Sequence, residues 1–140
     1  MSIPLTPQLL RDAAIADIRL IAPEEIPAVL QAATAAGLHC AHIELGRCRS
    51  KADFLALVAD ALEFPGWFGQ NWDALADCLG DLEWLPAEGY VLVLDDPAEL
   101  RRAAPDDYAV AVDILADAAR EWRERDTPFW VFISREEEAI

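Results

Sequence analysis

The sequence predicts an α/β domain with a largely parallel sheet. Short apolar runs alternate along the chain with longer helical patterns, an order typical of parallel strands joined by helices. Residues 90–94 and 129–133 are apolar at every position, as expected for strands that helices cover on both faces. With 140 residues, 54% of them hydrophobic, the chain can bury one ordinary core, so we expect a single compact domain.

Two further strands are predicted in the first third of the chain. Residues 39–45 follow Gly37 and form a third, less apolar strand, and residues 18–21 are a candidate fourth strand at an edge. Residues 1–36 therefore hold a strand followed by a helix. This N-terminal extension either extends the sheet by one strand or docks another copy of the chain.

The helices lie between these strands. Ser50 is the expected N-cap of the helix that begins at residue 51, and Asp53 three residues later gives a pattern close to a capping box. Pro65 and Gly66 end that helix. The predicted helices cover roughly residues 23–36, 51–63, 72 to 80 or 81, 98–103 and 106–125. The last carries one apolar stripe, formed by Tyr108, Val112, Leu115, Ala119 and Trp122.

Charge and composition exclude several classes of function. The formal net charge is −15, which argues against direct binding of RNA or DNA and suits a basic protein partner, although acids also keep a protein in solution. The N-terminus lacks the pattern of a secretory signal, and no apolar run is long enough to span a membrane. Three cysteines, Cys40, Cys48 and Cys78, fit reduced thiols in a cytoplasm. We expect a cytoplasmic protein.

An aromatic, glycine-bounded loop precedes a short acidic helix in residues 64–79. Trp67 and Phe68 lie between Gly66 and Gly69. Two rings beside carboxylates offer apolar contact and cation–π surface to a partner. The alternative is that both rings tuck under the helix as a hydrophobic staple.

The helix that follows divides into an apolar and an acidic face. Asp73, Asp77 and Asp81 stand four residues apart on the acidic face, and like charges at this spacing cost about 0.2–0.5 kcal/mol per pair. The helix dipole favours Asp73 in the first turn but not Asp81 at the other end. The row is therefore either a binding face for a cationic partner or a solvated face. The apolar face consists of Trp72, Leu75, Leu79 and Leu82.

This segment resembles the barstar family of intracellular ribonuclease inhibitors, and the resemblance covers roughly residues 39–134. It implies a three-layer fold in which helices pack around a small parallel sheet of three strands. It also implies an inhibitor whose loop and helix plug the cationic active site of a small secreted ribonuclease. The residues that carry the resemblance are Phe64, Pro65, Trp67, Phe68, Gly69, Asn71, Asp73, Ala74, Leu75, Asp77, Cys78 and Leu79, followed by Phe129-Trp130-Val131-Phe132-Ile133-Ser134.

The resemblance assigns roles by position. Asp77 matches the carboxylate that enters the nuclease's phosphate-binding pocket. Glu121 matches a further acidic contact on the late helix, although it could instead pair with Arg125 one turn on. The other matched positions are Trp67 and Phe68 (the aromatic pair), Gly69, Asn71 and Asp73.

The chain departs from the family pattern at positions expected to select the target. Ala76 stands where the family's best-known member has a tryptophan. Gly80-Asp81-Leu82 stands where that member has threonine, glycine and tryptophan. We therefore predict that Ala76, Gly80 and Asp81 contact the partner.

An enzymatic function is not expected, and neither a cofactor nor a metal is predicted. His39, Cys40, His42 and Cys48 do not converge, because alternation along a strand sends His39 to the opposite face from Cys40 and His42. Asp73 and Asp77 could serve as acid and base in hydrolysis, but they have no basic neighbour to bind a reacting anion, so carbohydrate binding or hydrolysis is only an alternative to partner binding.

The predicted protein is an immunity-type inhibitor of a basic extracellular ribonuclease or nuclease toxin. It is expected to be a monomer alone and a heterodimer with its target. Its predicted organisation is an extension over residues 1–36 and a barstar-like domain over residues 37–140. The alternative is a regulatory module of the same fold that binds a basic protein without nuclease activity.

Overall fold

A computed structural model describes residues 5–66 and 69–135 of the chain. Four parallel strands form one sheet in the order β1-β4-β3-β2, and each strand pairs only in the parallel sense. The predicted α/β class is therefore confirmed. The strands are β1 (Ile18–Ile21), β2 (His39–Glu44), β3 (Tyr90–Asp95) and β4 (Phe129–Ser134).

The helices connect and cover these strands. The predicted helices are found with ends shifted by two residues or fewer, apart from residues 23–25, which form a 3₁₀ turn before the second helix. In the part of the chain that is described, none combines the length and apolar character needed to cross a membrane. The helices are α1 (Pro7–Leu10), α2 (Ile26–Ala35), α3 (Lys51–Ala61), α4 (Trp72–Asp81), α5 (Ala98–Ala103) and α6 (Pro105–Glu124).

The sheet separates two hydrophobic cores and so forms the middle of three layers. Alternation along β4 shows the division: Phe129, Val131 and Ile133 pack with α3, α4, α5 and α6, whereas Trp130 and Phe132 pack with α1 and α2. All five side chains are buried. Both faces of β4 are therefore covered, which explains why its sequence is apolar at every position.

The candidate edge strand is present, so the sheet has four strands instead of three. β1 pairs with β4, with Ile18 opposite Val131. The same N-terminal segment supplies α2, whose Val29 is fully buried in the second core. Residues 5–36 thus cover one face of the sheet and lengthen it by one strand.

Local signals explain the helix ends. The Asp53 N–H donates to Ser50 Oγ at 3.2 Å, as the cap pattern predicts, but the Asp53 carboxylate accepts from the Arg49 N–H, one residue before the cap. The short helix α1 was not predicted, although its signals are present. Thr6 Oγ1 accepts from the Leu9 N–H at 3.1 Å, and proline occupies the first helical position.

Candidate protein-binding surface

The acidic helix α4 begins at a well-formed cap. Asn71 is the N-cap residue, and its Oδ1 accepts a hydrogen bond from the Ala74 N–H at 2.8 Å. Its Nδ2 donates to the carbonyl oxygen of Gly69 at 3.3 Å. A Cβ on Gly69 would lie 3.1 Å from that same Nδ2, so a side chain there would press on the cap. Gly69 and Asn71 together fix where α4 starts.

The two faces of α4 differ in burial as the sequence predicts. Leu75, Cys78 and Leu79 are buried in the core beneath the helix. Trp72 is half-buried and lies against Phe54, with ring centroids 6.3 Å apart. The opposite face is exposed and is formed by Asp73, Ala76, Asp77 and Asp81.

The C-terminal turn of α4 is held by α6. The indole N–H of Trp122 donates to the carbonyl oxygen of Leu79 at 2.7 Å. Leu79 lies in the last turn, where carbonyls have no partner within the helix. Leu82 then ends the helix in the left-handed region, with φ of 51°, and its side chain is buried. Both ends of α4 are therefore fixed by specific hydrogen bonds.

The helix α6 also brings a fourth carboxylate to α4. Glu121 is exposed, and its Oε2 lies 3.3 Å from the position that a Cβ on Gly80 would occupy. Gly80 is three residues after Asp77, which is one turn along the same helix. Because Gly80 has no side chain, Glu121 can reach the surface of α4 beside the acidic row.

Arg125 approaches the same place without forming an ion pair with this carboxylate: its Nη2 lies 4.0 Å from the position that a Cβ on Gly80 would occupy. Its guanidinium lies over the Trp122 ring, 4.2 Å from the centroid. Within residues 5–66 and 69–135, no ion pair joins Glu121 to Arg125, and none involves Asp73, Asp77 or Asp81. The surface thus presents four carboxylates without an ionic partner among the described residues.

A family model described as Barstar (barnase inhibitor) matches residues 38–134. The chain belongs to the barstar family. The match spans more than half of the chain and agrees with the extent of the resemblance that the sequence shows. No curated protein sequence matches this chain significantly.

Most of the predicted partner-binding residues lie on or beside α4. The structure brings Asp73, Ala76, Asp77, Gly80 and Asp81 onto one helix and Glu121 beside them. Gly69 and Asn71 lie at its start, where the Asn71 side chain is engaged in capping. Trp67 and Phe68 lie outside the described residues.

Sequence reasoning assigned Trp122 only to the apolar stripe of α6. Its ring does pack against the core, with its centroid 5.3 Å from that of Tyr90. The hydrogen bond to Leu79 was missed, because periodicity places a residue on a face without showing where its N–H points. The only signal was that a buried indole N–H usually finds an acceptor.

The thiol of Cys78, within the acidic helix, has low reactivity. Burial raises the pKa of Cys78, and the charges of Asp77 and Asp81 raise it further. Burial is the largest of these causes. A neutral, buried thiol is a poor nucleophile, so Cys78 serves packing.

The histidines and cysteines of residues 39–48 do not form a common site. His39 lies against Tyr90, with ring centroids 6.4 Å apart. Cys48 is buried in the core beneath α3. Cys40 packs on the opposite side of the sheet, beside α2, and burial raises the pKa of its thiol to about 11. His42 instead forms a hydrogen bond with Asp95, with Nε2 2.8 Å from Oδ2.

Proposed function

We propose that this protein inhibits a basic extracellular ribonuclease or nuclease toxin by inserting the acidic face of α4 into its active site. The observation that carries the proposal is the exposed row of Asp73, Asp77 and Asp81, which has no ionic partner in the described parts of the chain. The barstar family is an inhibitor family, and this surface supplies the means for inhibition.

The central group in this proposal is the carboxylate of Asp77. A ribonuclease must hold phosphate with arginine, lysine or histidine side chains. A carboxylate on a convex helix can occupy the phosphate position and accept charge-assisted hydrogen bonds from those groups. Inhibition then requires only binding, so the protein needs neither a catalytic residue nor a cofactor.

The other acids support Asp77 from both sides. Asp73 lies one turn before it and Asp81 one turn after it, and Glu121 reaches α4 at Gly80. Together they give a field that attracts a cationic protein, and such attraction weakens as salt screens it. In this proposal Trp67 and Phe68 frame the contact, as the family resemblance implies.

The hydrogen bonds at both ends of α4 favour a contact surface that is ordered before the partner binds. Asn71 fixes the start of the helix, and Trp122 holds its last turn. A surface that is already ordered loses less conformational entropy on binding than one that must order. The carboxylates therefore do not need a rearrangement of the backbone to meet the target.

We further propose that the protein acts in the cytoplasm as a monomer and forms a heterodimer with its target. It would protect the producing cell from its own secreted ribonuclease or from a toxin delivered by neighbours. Residues 1–36 would then be an extension that completes the sheet of a barstar-like domain over residues 37–140.

An inhibition assay tests the function. The protein is titrated into small basic ribonucleases and toxin nucleases, and RNA cleavage is measured at fixed ionic strength. We expect stoichiometric inhibition of at least one enzyme, with strong loss of inhibition in Asp77→Asn. Glu24→Gln is the matched control, because Glu24 is exposed in the 3₁₀ turn before α2 and not on α4. If the protein inhibits none of the enzymes tested, the proposal is contradicted.

A regulatory module that binds a basic protein without nuclease activity is the second candidate. The exposed Ala76 favours it, because a methyl group replaces the tryptophan of the family's best-known member at the centre of the acidic face. Purification of bound proteins with wild-type and Asp77→Ala baits separates the candidates. A partner that depends on Asp77 and cleaves no RNA would support the second.

A further inference from the structure

Three potential metal ligands meet at the carboxyl edge of the sheet, away from α4. They are His42 and Glu44 of β2 and Asp95 at the end of β3, and one ligand atom of each lies within 4.8 Å of the others. In the described residues, no other group of three such side chains is this close. The carboxyl edge of parallel strands is where ligands commonly bind in α/β proteins.

The strand register explains how these side chains meet. Ala41 and Ile43 point into the core beneath α3–α6, so alternation sends His42 and Glu44 to the other face of the sheet. Glu44 and Asp95 are direct partners in the pairing of β2 with β3. The cluster therefore results from the sheet itself and not from the position of a loop.

The histidine and the aspartate are already in contact. His42 Nε2 lies 2.8 Å from Asp95 Oδ2, and their side chains are 32% and 25% exposed. Solvent ions can thus reach both groups. A cation at this position would replace the hydrogen bond between the two atoms.

A buried hydroxyl orients the aspartate from behind. Ser134 Oγ donates to Asp95 Oδ1 at 3.2 Å and accepts from the Asp96 N–H at 2.8 Å. Ser134 is 1% exposed and is the one polar side chain that is fully buried in the described chain. Its contact leaves Asp95 Oδ2 directed at His42, and such outer-shell hydrogen bonds are typical of metal sites.

We propose that His42, Glu44 and Asp95 bind a first-row divalent cation, with Zn²⁺ as the reference ion. One imidazole nitrogen and two carboxylates form a donor set that Zn²⁺, Co²⁺ and Ni²⁺ accept, whereas Mg²⁺ and Ca²⁺ prefer oxygen alone. Three protein ligands leave coordination positions for water or for a group from another molecule. The site lies across the sheet from α4, so it is separate from the acidic face of that helix.

Calorimetric titration of the untagged full-length chain with Zn²⁺ tests the site. We expect one ion per chain and a loss of affinity of about tenfold or more in His42→Ala and in Glu44→Gln. Glu44 is exposed, so its substitution leaves the core intact. His39→Ala is the matched control, because it removes the other histidine, on the opposite sheet face, and should keep the wild-type affinity.

Two further measurements separate this site from binding by thiols. Cys40→Ala should keep Zn²⁺ affinity, and the Co²⁺ complex should lack the ultraviolet charge-transfer band of a thiolate ligand. Ser134→Ala removes the hydrogen bond to Asp95 and the one from the Asp96 N–H, and it should weaken Zn²⁺ binding by about tenfold without changing the stoichiometry, because no metal ligand is lost. Absence of binding, or binding that His42→Ala and Glu44→Gln leave unchanged, would overturn the proposal.

Discussion

The indole nitrogen of Trp122 lies 2.7 Å from the carbonyl oxygen of Leu79 and joins α6 to the last turn of α4. The Arg125 guanidinium lies over the same ring, and Glu121 reaches α4 at Gly80. The C-terminal end of α6 thus supports the acidic helix and adds a carboxylate to its surface, and the Arg125 guanidinium that follows lies over an aromatic ring.

Replacing Trp122 with phenylalanine should destabilise the protein. The change keeps an aromatic ring but leaves the Leu79 carbonyl without its donor, a loss of about 1–3 kcal/mol in the free energy of unfolding. Urea unfolding followed by circular dichroism measures it. An unchanged midpoint would mean that water satisfies this carbonyl equally well.

Replacing Asn71 with alanine should weaken the start of α4. Loss of an N-cap side chain costs about 1 kcal/mol, and Asn71→Ser or Asn71→Asp should recover most of that stability because both can accept from the Ala74 N–H. Chemical denaturation of the three variants gives the comparison. Equal stability of Asn71→Ala and Asn71→Asp would contradict a capping role.

Replacing Gly80 with alanine should stabilise the protein by about 0.5 kcal/mol, since glycine is a poor helix former and Gly80 lies near the helix end. The new Cβ would lie 3.3 Å from Glu121 Oε2, and that exposed side chain can move by the small amount required. Ala76→Gly, one turn earlier on the exposed face, is the inverse control and should destabilise. A loss of stability in Gly80→Ala would show that Glu121 is held rigidly.

Stability should fall in alkaline solution because of Cys40. Burial raises the pKa of its thiol from 9.0 to about 11, so the folded state holds this proton more tightly than the unfolded state. The resulting stabilisation is complete below pH 9 and is lost as the pH rises towards 11. Urea midpoints across this window should fall less steeply in Cys40→Ala than in the wild type. If the urea midpoints of the two proteins fall equally with pH, Cys40 is not the cause of the loss of stability.

Most of the fold could be predicted because its signals are local. The apolar runs of β3 and β4 follow from burial on both faces, and Ser50 marks the start of α3 by its side-chain chemistry. The helix α1 was missed because four residues give no readable periodicity. Its capping signals were present at Thr6 and Pro7.

The candidate surfaces could be predicted only where one element carries them. The acidic row lies on a single helix, so spacing alone places Asp73, Asp77 and Asp81 on one face. The meeting of Glu121 with Gly80, and of His42 with Asp95, depends on how separate elements pack. Asp95 was therefore absent from the sequence-based search for metal ligands.

The affinity of a nuclease complex for wild-type protein and for Asp77→Asn tests the central claim most directly. Once the inhibited nuclease is identified, both dissociation constants are measured at the same ionic strength, with Glu24→Gln as the control. Removing one charge from a buried pair costs about 3–5 kcal/mol, so we predict weakening of about 100-fold or more for Asp77→Asn and near wild-type affinity for Glu24→Gln. Equal affinity of wild type and Asp77→Asn would contradict the claim that Asp77 occupies the phosphate position.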